Sequence, residues 1–274
     1  MAHLVVASYN LHGGVDGWGR PIDVVDACRQ LDADVMALQE CWVPDGGAGL
    51  AQVVAEALGY SLTELAYGRG RIFAPPNDPG TQWGPPFWEN RAYGLRLYRR
   101  RTPHQGYDRA DRIGRGRGVQ RGTTGIAVLT RVPVIDTKVI DLGQLPQDPA
   151  RRGAIAVDVD VNGERVRVAG THMAHLSQGS LIHLARLRRA LRERPQELPA
   201  VLAGDMNMWG PPLSMLLPGW SRAVRGRSWP TWSRVPIAQP DHILVSGPVQ
   251  AARGLVVEVG ASDHLSVRAE LVIA

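Results

Sequence analysis

Eight residues of this sequence carry side chains suited to holding a hard cation and activating water: Asn10, Glu40, His172, Asp205, Asn207, Asp241, Asp263 and His264. Each sits beside an apolar run of strand-like composition. Asn10 closes Leu-Val-Val-Ala-Ser-Tyr-Asn, and Glu40 closes Asp-Val-Met-Ala-Leu-Gln-Glu. Asp205 and Asn207 follow Pro-Ala-Val-Leu-Ala-Gly in the sequence Gly-Asp-Met-Asn-Met, and Asp263 and His264 stand in Ser-Asp-His just before the last run. His172 ends its run in Thr-His-Met-Ala-His, and Asp241 opens Pro-Asp-His-Ile-Leu-Val.

The spacing has a chemical reading. Asp205 and Asn207 are two residues apart, so an extended backbone would point both side chains the same way. A carboxylate beside a neutral amide holds a cation or a phosphate oxygen without accumulating negative charge. Glu40 and Asp263 add oxygen ligands, and a set rich in oxygen without cysteine favours Mg²⁺, with Mn²⁺ or Ca²⁺ as alternatives. His264 suits a general base, with Asp241 as the acid that orients its imidazole. Taken singly, these patterns also describe turns, helix caps and solvated strand ends. Their ordered combination carries the argument.

The elements that must position these residues read as an α/β or α+β chain. Residues 4–10 predict a buried strand, Asp23 to Leu31 a helix, 34–40 a second strand, 48–58 a helix and 60–67 a strand. Residues 125–140 predict two strands broken at Pro133, and 154–161 and 165–172 form a hairpin across Asn162-Gly163. A helix is expected over 178–194, with Leu181, Leu184, Leu187 and Leu191 on its buried side and Pro195 ending it. Strands follow at 199–204, 241–246 and 265–273.

The 274 residues, 44% of them hydrophobic and 21% charged, suit a soluble globular protein that needs no disulfide staples. Cys28 and Cys41 read as reduced, buried thiols, and no Cys/His cluster suggests structural zinc. The opening residues lack a signal peptide's basic and apolar regions, and no apolar run approaches ~18 residues, so the expected location is cytoplasmic. A chain trimmed of its leader would read the same way.

The net charge of +5 is unevenly spread. Residues 69–122 hold twelve arginines against four acids, together with seven of the sixteen aromatic residues. This Gly-, Pro- and Arg-rich stretch reads as a long insertion or surface excursion rather than a second domain.

The series Ser-Tyr-Asn-Leu-His-Gly, Ala-Leu-Gln-Glu, Gly-Asp-Met-Asn, Pro-Asp-His-Ile-Leu-Val-Ser and Ala-Ser-Asp-His-Leu resembles the endonuclease/exonuclease/phosphatase superfamily, from about residue 4 to about residue 272. The resemblance implies one domain over 1–274, folded as a four-layer sandwich of two mixed β-sheets flanked by helices. It implies Glu40 as the main metal ligand with Asn10 and Asp263 near the ion, and Asp205 and Asn207 holding water and phosphate. Asp241 and His264 would activate the water, although Asp205 is a second candidate base. His172 resembles the second histidine of the deoxyribonuclease and sphingomyelinase branches, where it would bind a phosphate oxygen or protonate the leaving group. A pairing of Glu64 with His172 is expected by the same analogy, and His175 is a further candidate at the phosphate site.

The activity so implied is hydrolysis of phosphodiesters. For the substrate, interleaved arginines and aromatics suit nucleic acid, with phosphates on guanidinium groups and bases on rings. An anionic phospholipid surface fits the same composition, and a small phosphorylated metabolite is the third reading. A binding module that has lost the chemistry would lack a ligand or the base, and here every matched position is filled. No protein partner can be inferred.

Overall fold

A computed structural model describes residues 1–16, 21–73, 94–97, 119–193, 198–230 and 236–274. The chain opens with β1 (Ala2–Asn10), α1 (Val24–Leu31), β2 (Val35–Pro44), α2 (Leu50–Leu58) and β3 (Ser61–Phe73). It continues through β4 (Gly94–Leu97), β5 (Val119–Thr130), β6 (Val134–Gln144), β7 (Arg151–Val161), β8 (Glu164–His172) and α3 (Ser180–Arg192). Then come β9 (Ala200–Asp205), α4 (Gly210–Leu216), β10 (Ser221–Arg222), β11 (Trp229–Pro230) and β12 (Pro236–Ala238). The last strands are β13 (Asp241–Ser246), β14 (Val249–Val257) and β15 (Ser266–Ile273).

Among the described residues these strands make two mixed sheets. The first runs β14-β15-β1-β2-β5-β3-β4 and the second β10-β13-β9-β8-β7-β6, with β11 and β12 as a short separate ribbon. The fold follows from strands that are apolar on both faces. In β9, Val201 and Ala203 enter the core between the sheets, while Leu202 faces the outer helix layer. In β13, Ile243 and Val245 point inward and Leu244 outward. In β1, Leu4 and Val6 point inward, whereas Ala7 and Tyr9 meet the helices. Such strands read as unbroken apolar runs because both faces are covered.

Helices α1 and α2 cover the first sheet through Ala27, Cys28, Leu31, Ala51 and Val54. Helices α3 and α4 cover the second through Leu184, Leu187, Leu191 and Leu213. The result is the expected four-layer sandwich. Cys28 and Cys41 are free and buried. Among the described residues no helix is long and apolar enough to cross a membrane.

Several expectations need correction. Leu181 is 50% exposed, because the buried stripe of α3 is Ser180, Leu184, Leu187 and Leu191, joined by His183. Leu181 lies too far round the 3.6-residue turn to share it. Strand β3 continues beyond residue 67 to Phe73, and β5 begins at Val119, so both ends of the supposed insertion belong to the first sheet. Residues 74–93 and 98–118 of that segment lie outside the described residues. Strand β14 was not expected at all. It is an edge strand whose burial pattern, mostly exposed, gives no alternation to read.

The hairpin at Asn162-Gly163 forms as expected, with both residues at positive φ (56° and 89°). Ile155, fully buried between the sheets, reports on this core. Ile155→Ala should lower unfolding free energy by about 2–5 kcal/mol in urea titration, because it leaves a cavity the two sheets cannot close.

Candidate active site

The site lies where the inward-facing rows of the second sheet change from apolar to polar. The inward parity of β9 continues from Val201 and Ala203 to Asp205, that of β13 back from Ile243 to Asp241, and that of β8 from Val166 and Val168 to His172. Strand register brings these three ends level: His172 and Asp241 both pair with Asp205, one on each side. From the opposite sheet, Leu4 and Val6 set the parity that turns Asn10 inward. Three strands of one sheet and one of the other thus deliver four buried polar residues to one place.

Asp205 is its centre. Its Oδ2 accepts a hydrogen bond from Asn10 Nδ2 at 3.2 Å and lies 3.5 Å from His172 Nε2 and 3.9 Å from His264 Nε2. Its Oδ1 accepts from the Asn207 backbone N–H at 2.8 Å. Asn207 Nδ2 donates to the Met173 carbonyl at 3.1 Å and comes within 3.4 Å of His172 Nε2. Asp205 and Asn207 do converge, though not through extended backbone: Asn207 has φ 49°, so a tight left-handed turn folds it back over Asp205.

Asp241 and His264 form the expected pair, with His264 Nδ1 at 2.8 Å from Asp241 Oδ2. Ser228, which has no sequence signature, donates to the same oxygen at 2.6 Å and so fixes the carboxylate. Asp205, Asp241 and His264 also have ligand-capable atoms within 4.8 Å of one another. Asp241 Oδ2 receives Ser228 and His264, while its Oδ1 is buried and, among the described residues, has no hydrogen-bond partner. Asp263 joins from beside it: Ser262 Oγ donates to the Asn10 carbonyl at 2.7 Å and lies 3.4 Å from Asp263 Oδ1, which is 3.7 Å from His12 Nδ1.

Glu40 does not close its strand, as the sequence suggested. It sits half-buried on a bulge between Gln39 and Cys41, at φ 53°, and β2 continues to Pro44. Bulges re-aim side chains beside active sites, and a non-glycine residue in this region costs about 1–3 kcal/mol. Burial pushes the Tyr67 hydroxyl well above its ordinary value, with a smaller contribution from the Glu40 carboxylate.

His172 is the other departure. Its Nδ1 meets Tyr67 Oη at 3.0 Å, not Glu64. On β3, Leu65 and Tyr67 face the core, so alternation leaves Glu64 exposed on the other side. His175 is also exposed; its Nδ1 accepts from the Ser177 N–H and caps a short 3₁₀ turn.

Burial dominates the electrostatics. Asp205 has its pKa raised to about 7, first by burial and then by the Asp241 charge. For His264 burial opposes the positive charge, but Asp241, Asp263 and Asp205 outweigh it and hold the pKa well above the ordinary imidazole value. His172 moves the other way: burial, then Arg152 and His264, push it well below.

A His–Asp pair, a second buried imidazole and a buried carboxyl titrating near neutrality thus meet at one end of a two-sheet sandwich. A sequence profile of the Endonuclease/Exonuclease/phosphatase family matches residues 7–264, and the chain belongs to that family. Its members are hydrolases acting on phosphoesters and are generally divalent-metal dependent. Among solved structures, an endonuclease/exonuclease/phosphatase from Beutenbergia cavernae is 22% identical with TM-score 0.63, covering 100% of this chain and 72% of that one. D. rerio TDP2 complexed with a single strand DNA product is 16% identical with TM-score 0.59, covering 99% of this chain and 100% of that one. A family protein from Leptotrichia buccalis is 12% identical with TM-score 0.63, covering 99% of each chain. At such identities the likeness speaks for the fold. No curated protein sequence matches the chain.

The raised pKa of Asp205 has a testable sign. Its contribution favours the fold below the unfolded value of 3.8 and is lost as pH rises through about 7. Metal-free Asp205→Asn should therefore unfold at a higher temperature than the native chain at about pH 8, with a smaller gain at about pH 5. Thermal unfolding in EDTA at both pH values checks this, and equal gains at both would contradict it.

Proposed function

We propose that the chain is a Mg²⁺-dependent phosphoesterase that hydrolyses phosphodiester bonds by in-line attack of water, with nucleic acid as its substrate. The observation that carries this is the convergence of Asn10, His172, Asn207 and His264 on the buried carboxylate of Asp205.

The cation-holding residues in this proposal are Glu40, Asn10 and Asp263. They fit a hard divalent ion: all offer oxygen, Glu40 and Asp263 are partly open to solvent, and Asn10 Oδ1 accepts from the His12 N–H at 3.0 Å with a lone pair to spare. Mn²⁺ or Ca²⁺ would meet the same donors. A bound divalent ion supplies positive charge that draws phosphate oxygens in and neutralises charge developing on them.

The remaining steps belong to the protein. Asp205 and Asn207 orient the water and the phosphate. His264, aligned by Asp241 and Ser228, takes the water's proton once a bound cation offsets the carboxylates that otherwise hold its imidazole protonated; Asp205, titrating near neutrality, is the second candidate for that role. His172 and Asn207 present donors to a non-bridging oxygen, which preorganises charge stabilisation without reorganisation in the transition state.

The nucleic-acid assignment rests on the arginine and aromatic content of residues 69–122 and on the DNA product bound to the structurally similar TDP2. Its alternatives are a phospholipid or sphingomyelin-type diester and a small phosphorylated metabolite.

Hydrolysis of bis(p-nitrophenyl) phosphate should require Mg²⁺ and stop with EDTA. Glu40→Ala, Asp205→Ala and His264→Ala should each lower kcat by about 100-fold or more while the circular dichroism spectrum stays native. Near-normal turnover in all three would overturn the site. On plasmid, single-stranded DNA and RNA, apparent affinity should fall steeply with added salt. Preference for sphingomyelin vesicles or inositol phosphates over all three would overturn the substrate.

A further inference from the structure

Tyr67 is buried behind His172, in a position that the proposed chemistry does not itself require. Its hydroxyl lies 3.0 Å from His172 Nδ1, and the two rings meet edge to face with centroids 5.9 Å apart. The Arg152 guanidinium lies over the Tyr67 ring, its central carbon 5.0 Å from the ring centroid. That guanidinium is itself clamped by Asp148, through Nε at 2.8 Å and Nη2 at 3.2 Å, and both residues are buried. The assembly is a rigid stack with a fixed positive charge at its base.

An imidazole has two places for its proton, and the partner of one nitrogen decides which is filled. We infer that Tyr67 is a positioning residue: its hydroxyl donates to Nδ1 of His172 and keeps the imidazole proton on Nε2, as a standing donor to a phosphate oxygen. This rests on the phosphodiesterase reading for its purpose, but not for its geometry.

Three observations support the assignment. A proton on Nε2 has Asp205 Oδ2 as an acceptor 3.5 Å away and leaves Nδ1 to accept the Tyr67 O–H, whereas a proton on Nδ1 would turn the Tyr67 O–H toward Thr124. Asn207 Nδ2 stands 3.4 Å from His172 Nε2 but already has the Met173 carbonyl as an acceptor at 3.1 Å, so it does not need Nε2 as one. Burial, and after it the Arg152 charge, disfavour an imidazolium at His172, so the ring serves as a neutral donor. The leaving group then takes its proton from solvent, because His264 stands on the attacking side of an in-line displacement.

The test reads the tautomer directly. In ¹⁵N spectra of histidine-labelled protein, with His172 assigned by His172→Asn, the native chain should show a protonated Nε2 and an unprotonated Nδ1 from about pH 6 to about pH 8. Tyr67→Phe keeps the ring on Arg152 and removes only the donor. It should yield a mixture of tautomers and a kcat on bis(p-nitrophenyl) phosphate lower by about 10- to 100-fold, with KM little changed. A native His172 protonated on Nδ1, or on both nitrogens at neutral pH, would overturn the inference, as would an unchanged tautomer in a folded Tyr67→Phe. If that variant does not fold, the native spectrum alone decides. The spectra need no substrate, so a chain with the Nε2 tautomer that cleaves no phosphodiester would count against the proposed function and not against this one.

Discussion

The site depends on one constraint: the strands β8, β9 and β13 reach the end of the second sheet at a common level. Parallel pairing sets His172 beside Asp205, and antiparallel pairing sets Asp241 on its other side. Backbone hydrogen bonds fix both registers, and a slip of one residue would turn each side chain to the helix face. The apolar rows behind these residues enforce the register, since the same slip would turn Val201, Ala203, Ile243 and Val245 out of the central core. Packing and chemistry are therefore specified by the same alternation.

That arrangement concentrates negative charge in a dry place. Asp205 and Asp241 are both buried, with Asn10, the Asn207 N–H, Ser228 and His264 as their compensation. The compensation is incomplete for Asp205, whose carboxyl is held half-protonated near neutrality. Incomplete neutralisation leaves the site receptive to positive charge and to a proton from water. Backbone strain sits at the same place. Of the five non-glycine residues with positive φ among the described residues, His12, Glu40 and Asn207 lie at the site's strand ends, while Asp32 caps α1 and Asn162 turns a hairpin. The tight packing around them holds these conformations.

Much of this was legible in the sequence. The strands that carry the site are apolar on both faces, so they stand out as runs, and their polar terminal residues stand out against them. The family resemblance supplied the layers, which alternation alone could not. What escaped notice lacked a local signal. Ser228 reaches Asp241 from a stretch without pattern, and Tyr67 was visible only as the end of an expected strand. The Glu64–His172 pairing failed because it was carried by analogy, whereas the parity of β3 selects Tyr67. Asp205 and Asn207 were expected together for the wrong geometric reason, since only a left-handed turn at Asn207 brings them into contact. The bulge at Glu40 was equally invisible, because it changes the direction of a side chain without changing the composition of its strand.

The central claim is that oxygen ligands from both ends of the chain hold a cation beside, and not within, the Asp205–Asp241–His264 cluster. Anomalous scattering from crystals soaked in Mn²⁺ tests it most directly. The account predicts a peak bound by the Glu40 carboxylate, with Asn10 and Asp263 next to it and the Asp241–His264 hydrogen bond intact. A peak coordinated by Asp241 and His264 would contradict it, because the ion would then occupy the groups assigned to take the proton from water.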